Sequence, residues 1–216
     1  MTNTTNLCPL CKTTSTEYYC SPKKREKYYS CPNCGGVFLA PFFLLSRDDE
    51  KTRYLKHQNS DVNNGYLEFI APVVNYVMEA TADTSLGLDF GSGPIPVISD
   101  LLRKRGRAIN QFDLYFYPDE LVLKQRYDYI MACEVVEHFR EPFKEFANLR
   151  NMLKSDAFLV ISTSLLEDQI DFSKWHYVRD PTHIFFYRIK TVEWIEREFK
   201  FKSSRILSNR LVVFNI

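Results

Sequence analysis

The sequence predicts an α/β protein with a small metal-stapled unit at its N-terminal end, and three observations carry that reading. Two Cys-x-x-Cys pairs open the chain. A short apolar run over 85–90 meets a glycine turn and then a helical pattern over 95–105. Two further strand-like runs follow, 108–112 and 127–132. With 216 residues, 45% of them hydrophobic and 15% aromatic, the chain is long enough for one α/β domain and an appendage, and has the composition of a packed globular protein.

Charge narrows the class of partner. There are 28 Lys and Arg against 27 Asp and Glu, so no global field draws the chain to nucleic acid or an anionic membrane, and a small or neutral partner is favoured. Two basic clusters, Lys23-Lys24-Arg25-Glu26-Lys27 and Arg103-Lys104-Arg105-Gly106-Arg107, read either as solvated faces or as phosphate contacts. The apolar run over 37–45 is far shorter than a membrane span and is interrupted by Pro41, so no membrane segment is expected. The polar opening, Met1 to Asn6, carries no secretion signal, which makes the reducing cytoplasm the expected compartment.

Residues 1–43 read as a zinc ribbon. Cys8-Pro9-Leu10-Cys11 and Cys31-Pro32-Asn33-Cys34 stand nineteen residues apart, a spacing that suits four thiolates around one tetrahedral zinc ion. A segment this short buries too little apolar surface to fold unaided, so metal binding supplies the missing free energy. Four protein ligands leave no open position, which makes the site structural. Cys20, between the pairs, reads as a loop residue, either a free thiol or an alternative ligand. The interleaved Tyr18, Tyr19, Lys23, Lys24, Arg25, Tyr28 and Tyr29 suit either a hairpin that docks RNA or an ordinary β-ribbon face.

Residues 44–216 form the main domain, led in by helices over 44–81. Arg47 to Gln58 is charged and polar, and Tyr66, Phe69, Ile70, Val73, Val74 and Val77 recur at helical spacing. Asp61 is an expected N-cap and Pro72 an expected kink. In Leu88-Asp89-Phe90-Gly91-Ser92-Gly93-Pro94, Gly91 and Gly93 let backbone approach a ligand, and Pro94 suits the first helical position. Asp113 ends the next strand about twenty residues on, where an acid can reach ribose hydroxyls. The bland alternative is a tight strand-to-helix turn with no ligand.

Leu-Asp-Phe-Gly-Ser-Gly-Pro, Asp113 and the run Tyr127-Asp-Tyr-Ile-Met-Ala-Cys-Glu-Val-Val-Glu-His-Phe139 together resemble class I S-adenosylmethionine-dependent methyltransferases, over roughly residues 60–216. The zinc ribbon is also similar to that of several bacterial members. The resemblance implies a Rossmann-like methyltransferase sheet, with S-adenosylmethionine held by Asp89, Gly91 and Gly93 beside its methionine moiety, Asp113 on its ribose and Glu134 at the crevice. Two departures stand out. Ile95 and Pro96 replace the usual third glycine, and only fourteen residues separate Asp113 from Asp128, too few for the family's usual helix, outer strand and adenine-binding acid. The expected sheet therefore lacks one edge strand, and Tyr115, Phe116 or the helices over 47–80 complete the adenine site.

Methyl transfer draws much of its rate from proximity and desolvation, so a base matters only where the acceptor must lose a proton. Candidates are Glu134, after the 127–132 strand, and His176 and His183, in the aromatic loop that follows the strand over 158–162. Trp175 and Tyr187 are expected pocket walls. Glu137 and His138 read as helix-capping groups or as catalytic ones, and Tyr54, His57 and Tyr66 as parts of a lid. Thr191 is an expected helix N-cap, and 202–207 with 211–216 an antiparallel hairpin. The acceptor is expected to be a small molecule. RNA methylation and a non-catalytic scaffold are the alternatives.

Overall fold

The computed structural model describes residues 6–56 and 64–216. The chain opens with β1 (Thr16–Cys20), β2 (Lys27–Ser30) and β3 (Val37–Leu39), an antiparallel meander. Then come α1 (Arg47–Lys56) and α2 (Asn64–Ala80). The main domain follows as β4 (Leu86–Phe90), α3 (Val97–Lys104), β5 (Ala108–Phe112), β6 (Tyr127–Cys133), α4 (Pro142–Met152) and β7 (Leu153–Ser162). It closes with β8 (Phe185–Phe186), α5 (Ile189–Glu198), β9 (Ser203–Ser208) and β10 (Leu211–Asn215).

Among the described residues the main sheet has six strands in the order β5-β4-β6-β7-β10-β9, the first four parallel and the last two antiparallel. Its central strands are buried on both faces, which is why they read as continuous apolar runs. Ile130, Leu159, Ile161 and Val212 point to one face, against Phe146 and Leu149 of α4 and Ile195 of α5. Met131, Val160 and Val213 point to the other, against Ile70, Val73 and Val77 of α2 and Leu102 of α3. This is the Rossmann-like α/β sheet with one edge strand fewer. Where an outer unit would stand, Asp113 and Tyr117 exchange backbone hydrogen bonds of 3.0 Å, and a 3-10 turn, Val122–Lys124, is held by the Tyr127 hydroxyl donating to Val122 O at 2.6 Å. A closed turn replaces a helix and a strand, and β5 is left as the sheet edge.

Several local expectations change. Pro94 precedes the helix instead of starting it: α3 begins at Val97 after Pro96, and the Pro94 carbonyl accepts the Tyr117 hydroxyl at 3.2 Å. α2 runs unbroken through Pro72. Thr191 lies inside α5, where its Oγ1 accepts the Arg188 N–H at 3.1 Å and closes a capping box. Cys20 ends a strand and is exposed. Ser46, whose Oγ accepts the Asp49 N–H at 3.1 Å, starts α1. His57 and Asp61 lie outside the described residues.

The ribbon and the main domain share a sheet. β8 pairs antiparallel with β3, in register Val37 to Phe186 and Phe38 to Phe185, and Cys8, Cys31, Cys34 and Phe38 join the core that contains Leu88 and Ile130. Phe185, Phe186 and Tyr187 are fully buried. Gly36 permits this packing, because a Cβ there would stand 2.3 Å from the Phe185 ring. Gly36→Ala therefore overpacks the junction and should lower unfolding free energy by about 1–3 kcal/mol, read as a shifted urea midpoint at unchanged slope.

Candidate active site

A cavity of about 1030 Å³ opens at the carboxyl ends of β4, β5 and β6, the edge at which open α/β sheets bind ligands. The five expected cofactor residues, Asp89, Gly91, Gly93, Asp113 and Glu134, all line it, as do His176 and His183. α1 reaches it with Arg47, Glu50 and Tyr54, and α2 with Tyr66 and Phe69. α1 is held there by polar contacts: Arg140 donates to Leu45 O and to Glu50 Oε2, both at 2.7 Å, and Arg53 pairs with Asp180 at 2.9 Å.

The glycine turn is shaped by sterics. Gly91 has φ of 78°, in the left-handed region, and a Cβ there would stand 2.5 Å from Val135, so strand β4 meets β6 tightly only without a side chain. The Ser92 Oγ is buried and has no hydrogen-bond partner among the described residues. Asp113 supports the loop: its Oδ2 accepts the Gly93 N–H at 3.0 Å, and its Oδ1 accepts those of Tyr115 at 2.8 Å and Phe116 at 3.1 Å. A carboxylate has about four lone-pair sites, so three backbone donors leave Asp113 roughly one for a ribose hydroxyl. Tyr115 and Phe116 line the cavity beside it.

Glu134 stands at the end of β6 with φ of 54°, an unusual backbone for a non-glycine residue and of the kind held in place at functional sites. Its Oε1 lies 3.1 Å from Nη2 of Arg210, in the β9–β10 turn. Burial and then the neighbouring Glu137 push its pKa up to about 7.

Glu137 is fully buried. It sits in a 3-10 turn, Val136–His138, ahead of α4, whose own N-cap position is Glu141, so Glu137 and His138 cap no helix. The Tyr177 hydroxyl donates to Glu137 Oε1 and also contacts Thr163 Oγ1 at 3.0 Å. His183 Nε2 lies 4.0 Å from Glu137 Oε1, and its Nδ1 bonds Tyr177 O at 2.7 Å. His138 Nδ1 bonds Thr182 O at 2.7 Å, with its ring 4.9 Å from that of His183. His176 is exposed at the rim. Trp175 and Tyr187 are core and not walls: Trp175 packs on Phe172 and Tyr177, and the fully buried Tyr187 donates its hydroxyl to Val136 O at 2.9 Å. Tyr177 takes the place at the cavity expected of them. Sequence reading missed Tyr177, Arg140 and Arg210, which reach the site from loops and turns with no motif of their own.

Asp89, 3% exposed, accepts the Ser99 hydroxyl at 2.8 Å, yet burial dominates and pushes its pKa up to about 6. An acid whose pKa is higher folded than unfolded supplies stability at low pH that is lost as pH climbs through the folded value. The shift corresponds to about 3 kcal/mol. Urea unfolding from pH 4 to pH 7.5 should show this decline in wild type and a flatter profile in Asp89→Asn.

Three solved structures share the fold. An O-methyltransferase family protein from Burkholderia thailandensis aligns with TM-score 0.56 at 12% identity, over 77% of this chain and 62% of that one, so the chain spans under two thirds of that neighbour's length. The 1,6-didemethyltoxoflavin-N1-methyltransferase of Burkholderia thailandensis, solved with 1,6-didemethyltoxoflavin and S-adenosylhomocysteine, aligns with TM-score 0.55 at 11% identity over 92% and 97%. An Archaeoglobus fulgidus SAM-dependent methyltransferase aligns with TM-score 0.53 at 14% identity over 69% and 94%. No curated protein sequence matches the chain. Among the described residues no helix is long and apolar enough to cross a membrane. A family model described as a methyltransferase domain matches residues 55–203, well over half of the chain, and the protein belongs to that family.

Proposed function

We propose that this chain transfers a methyl group from S-adenosylmethionine to a small-molecule acceptor. The observation that carries the reading is that the Gly91-Ser92-Gly93 turn, Asp113 and the Glu134 and His183 side chains all face one cavity. When bound, S-adenosylmethionine supplies an electrophilic methyl on a sulfonium sulfur. The residues present fit it. Gly91 and Gly93 admit a ligand close to the backbone, the orphaned Ser92 Oγ gains a partner, and Asp113 offers its remaining lone pair to a ribose hydroxyl while holding the turn rigid. Asp89 would hold the methionine moiety, and Tyr115 and Phe116, which line the cavity, would hold the adenine.

Glu134 is the assigned general base. Its pKa of about 7 suits taking a proton from an acceptor hydroxyl or amine near neutral pH. His183, in contact distance of Glu137 and Tyr177, and His176, at the rim, are the further acid/base candidates that line the same cavity. α1 lines one side of the cavity, and in-line approach of the acceptor supplies much of the rate.

Residues 1–43 are assigned as a zinc ribbon and 44–216 as the catalytic domain. The four thiols of Cys8, Cys11, Cys31 and Cys34 lie within 4.8 Å of one another, with Cys8 to Cys34 at 3.6 Å and Cys11 to Cys31 at 3.2 Å. Sulfurs on one tetrahedral zinc stand about 3.8 Å apart, so the set fits the ion. The six free cysteines suit a reducing compartment such as the cytoplasm. A small acceptor is preferred over RNA because most of the aromatic groups that would stack on RNA, and Arg107, have internal partners, while Lys23, Lys24 and Arg25 stay exposed. Tyr28 and Tyr29 are buried, Tyr18 packs edge-on against Phe172, and Arg107 is 8% exposed and bonded to Asp83, Thr81 and Met78.

Calorimetric titration with S-adenosylhomocysteine should give saturable binding. Asp113→Ala should weaken it tenfold or more and lower thermal stability, since three backbone donors lose their acceptor; equal binding by both proteins removes Asp113 from the cofactor site. Chelation of the ribbon zinc should unfold β1–β3 and, through β8, lower the melting temperature of the whole chain, read by calorimetry with and without chelator.

A further inference from the structure

We infer that Glu137, His138 and His183 form a second metal site, for a divalent first-row transition ion, on the floor of the cavity. Three observations meet there. The ligand atoms of the three residues lie within 4.8 Å of one another. The Glu137 carboxylate is fully buried, and its Oε2 has no hydrogen-bond partner among the described residues, a state that a cation relieves. Both histidines bond a backbone carbonyl through Nδ1, His138 to Thr182 O and His183 to Tyr177 O, each at 2.7 Å. A carbonyl only accepts, so Nδ1 carries the proton and the neutral ring presents its lone pair at Nε2. That tautomer, fixed by a second hydrogen bond, is the one metal-binding histidines adopt.

The surroundings hold the set in place. Asp180 Oδ1 accepts Thr182 N–H at 3.0 Å and its hydroxyl at 2.6 Å, and Ile184 N–H donates to Glu137 O at 2.9 Å, so the loop carrying His183 is stitched to the turn carrying Glu137 and His138. Ligands bonded at about 2.1 Å stand at most about 4.2 Å apart, so small side-chain rotations close the site. Two imidazoles and a carboxylate suit zinc, iron, cobalt or manganese better than calcium or magnesium. His138 and His183 line the cavity and Glu137 lies behind them, so the ion's open positions face the acceptor and take an oxygen donor such as a hydroxyl or enol. This role toward the acceptor rests on the methyl-transfer reading; the metal binding does not.

Manganese tests the site selectively, because four thiolates bind it poorly. The full chain with its ribbon ion in place is titrated with Mn²⁺, counting free ion by electron paramagnetic resonance, and with Zn²⁺ by calorimetry. Wild type should bind one ion per chain beyond the ribbon's. His183→Ala and Glu137→Gln should bind it at least tenfold more weakly, while His176→Ala, in the same loop, binds as wild type; Glu137→Gln keeps the shape of the buried side chain, and melting curves confirm folding of each variant. No ion of either kind beyond the ribbon's, or equal binding by wild type and His183→Ala, overturns the site. S-adenosylhomocysteine is titrated in parallel, so that its failure with metal binding intact counts against methyl transfer alone.

Discussion

Burial of the Glu137 carboxylate is the constraint around which the cavity end of the molecule is arranged. A charge removed from water must be paired, bonded or neutralised. Here burial raises its pKa to about 7 and the Tyr177 hydroxyl bonds one oxygen. Meeting that demand fixes more than one side chain. Tyr177 comes from a loop forty residues further along, and the same loop returns to donate Ile184 N–H to Glu137 O. From there the chain runs directly into Phe185 and Phe186, which add the fourth strand to the ribbon sheet. One buried acid thus links the end of β6, the aromatic loop and the N-terminal unit.

Shortening between β5 and β6 redistributes work within the site. Without an outer helix and strand, the carboxylate of Asp113 stabilises a tight turn and accepts three backbone donors. That makes it a structural anchor of the turn. The cavity side left open is covered instead by α1, a polar helix with little apolar face of its own, held by Arg140–Glu50 and Arg53–Asp180. Such a helix is fixed by partly buried ion pairs more than by hydrophobic packing, which places it at the low-stability end of the fold.

The ribbon is built into the domain through β-pairing and through aromatic packing against Phe172, which meets Tyr18, Tyr19 and Tyr28 at centroid distances of 5.3, 5.5 and 5.1 Å. Loss of the ribbon's fold would expose β3's partner strand and the Phe172 face. The four-cysteine cluster and the candidate active site are therefore coupled mechanically through a short stretch of chain, 177–187.

Sequence by itself determined the α/β class, the two cysteine pairs, the strand-turn-helix with Asp89, Gly91 and Gly93, and the missing edge strand, because each is local. Periodicity, a left-handed glycine and a residue count need no distant partner. It misread Trp175 and Tyr187 as walls and left Glu137 and His138 undecided between capping and chemistry. In a loop without periodicity, which side chain turns inward depends on what it meets, and Tyr177 meets Glu137 only once β6 and β7 lie side by side. Tertiary structure alone decided that Arg210 faces Glu134, that Arg140 carries α1, and that two histidines forty-five positions apart, His138 and His183, stand with rings 4.9 Å apart. These are pairings between residues remote in sequence, and their energies exist only after the sheet has brought the strand ends together.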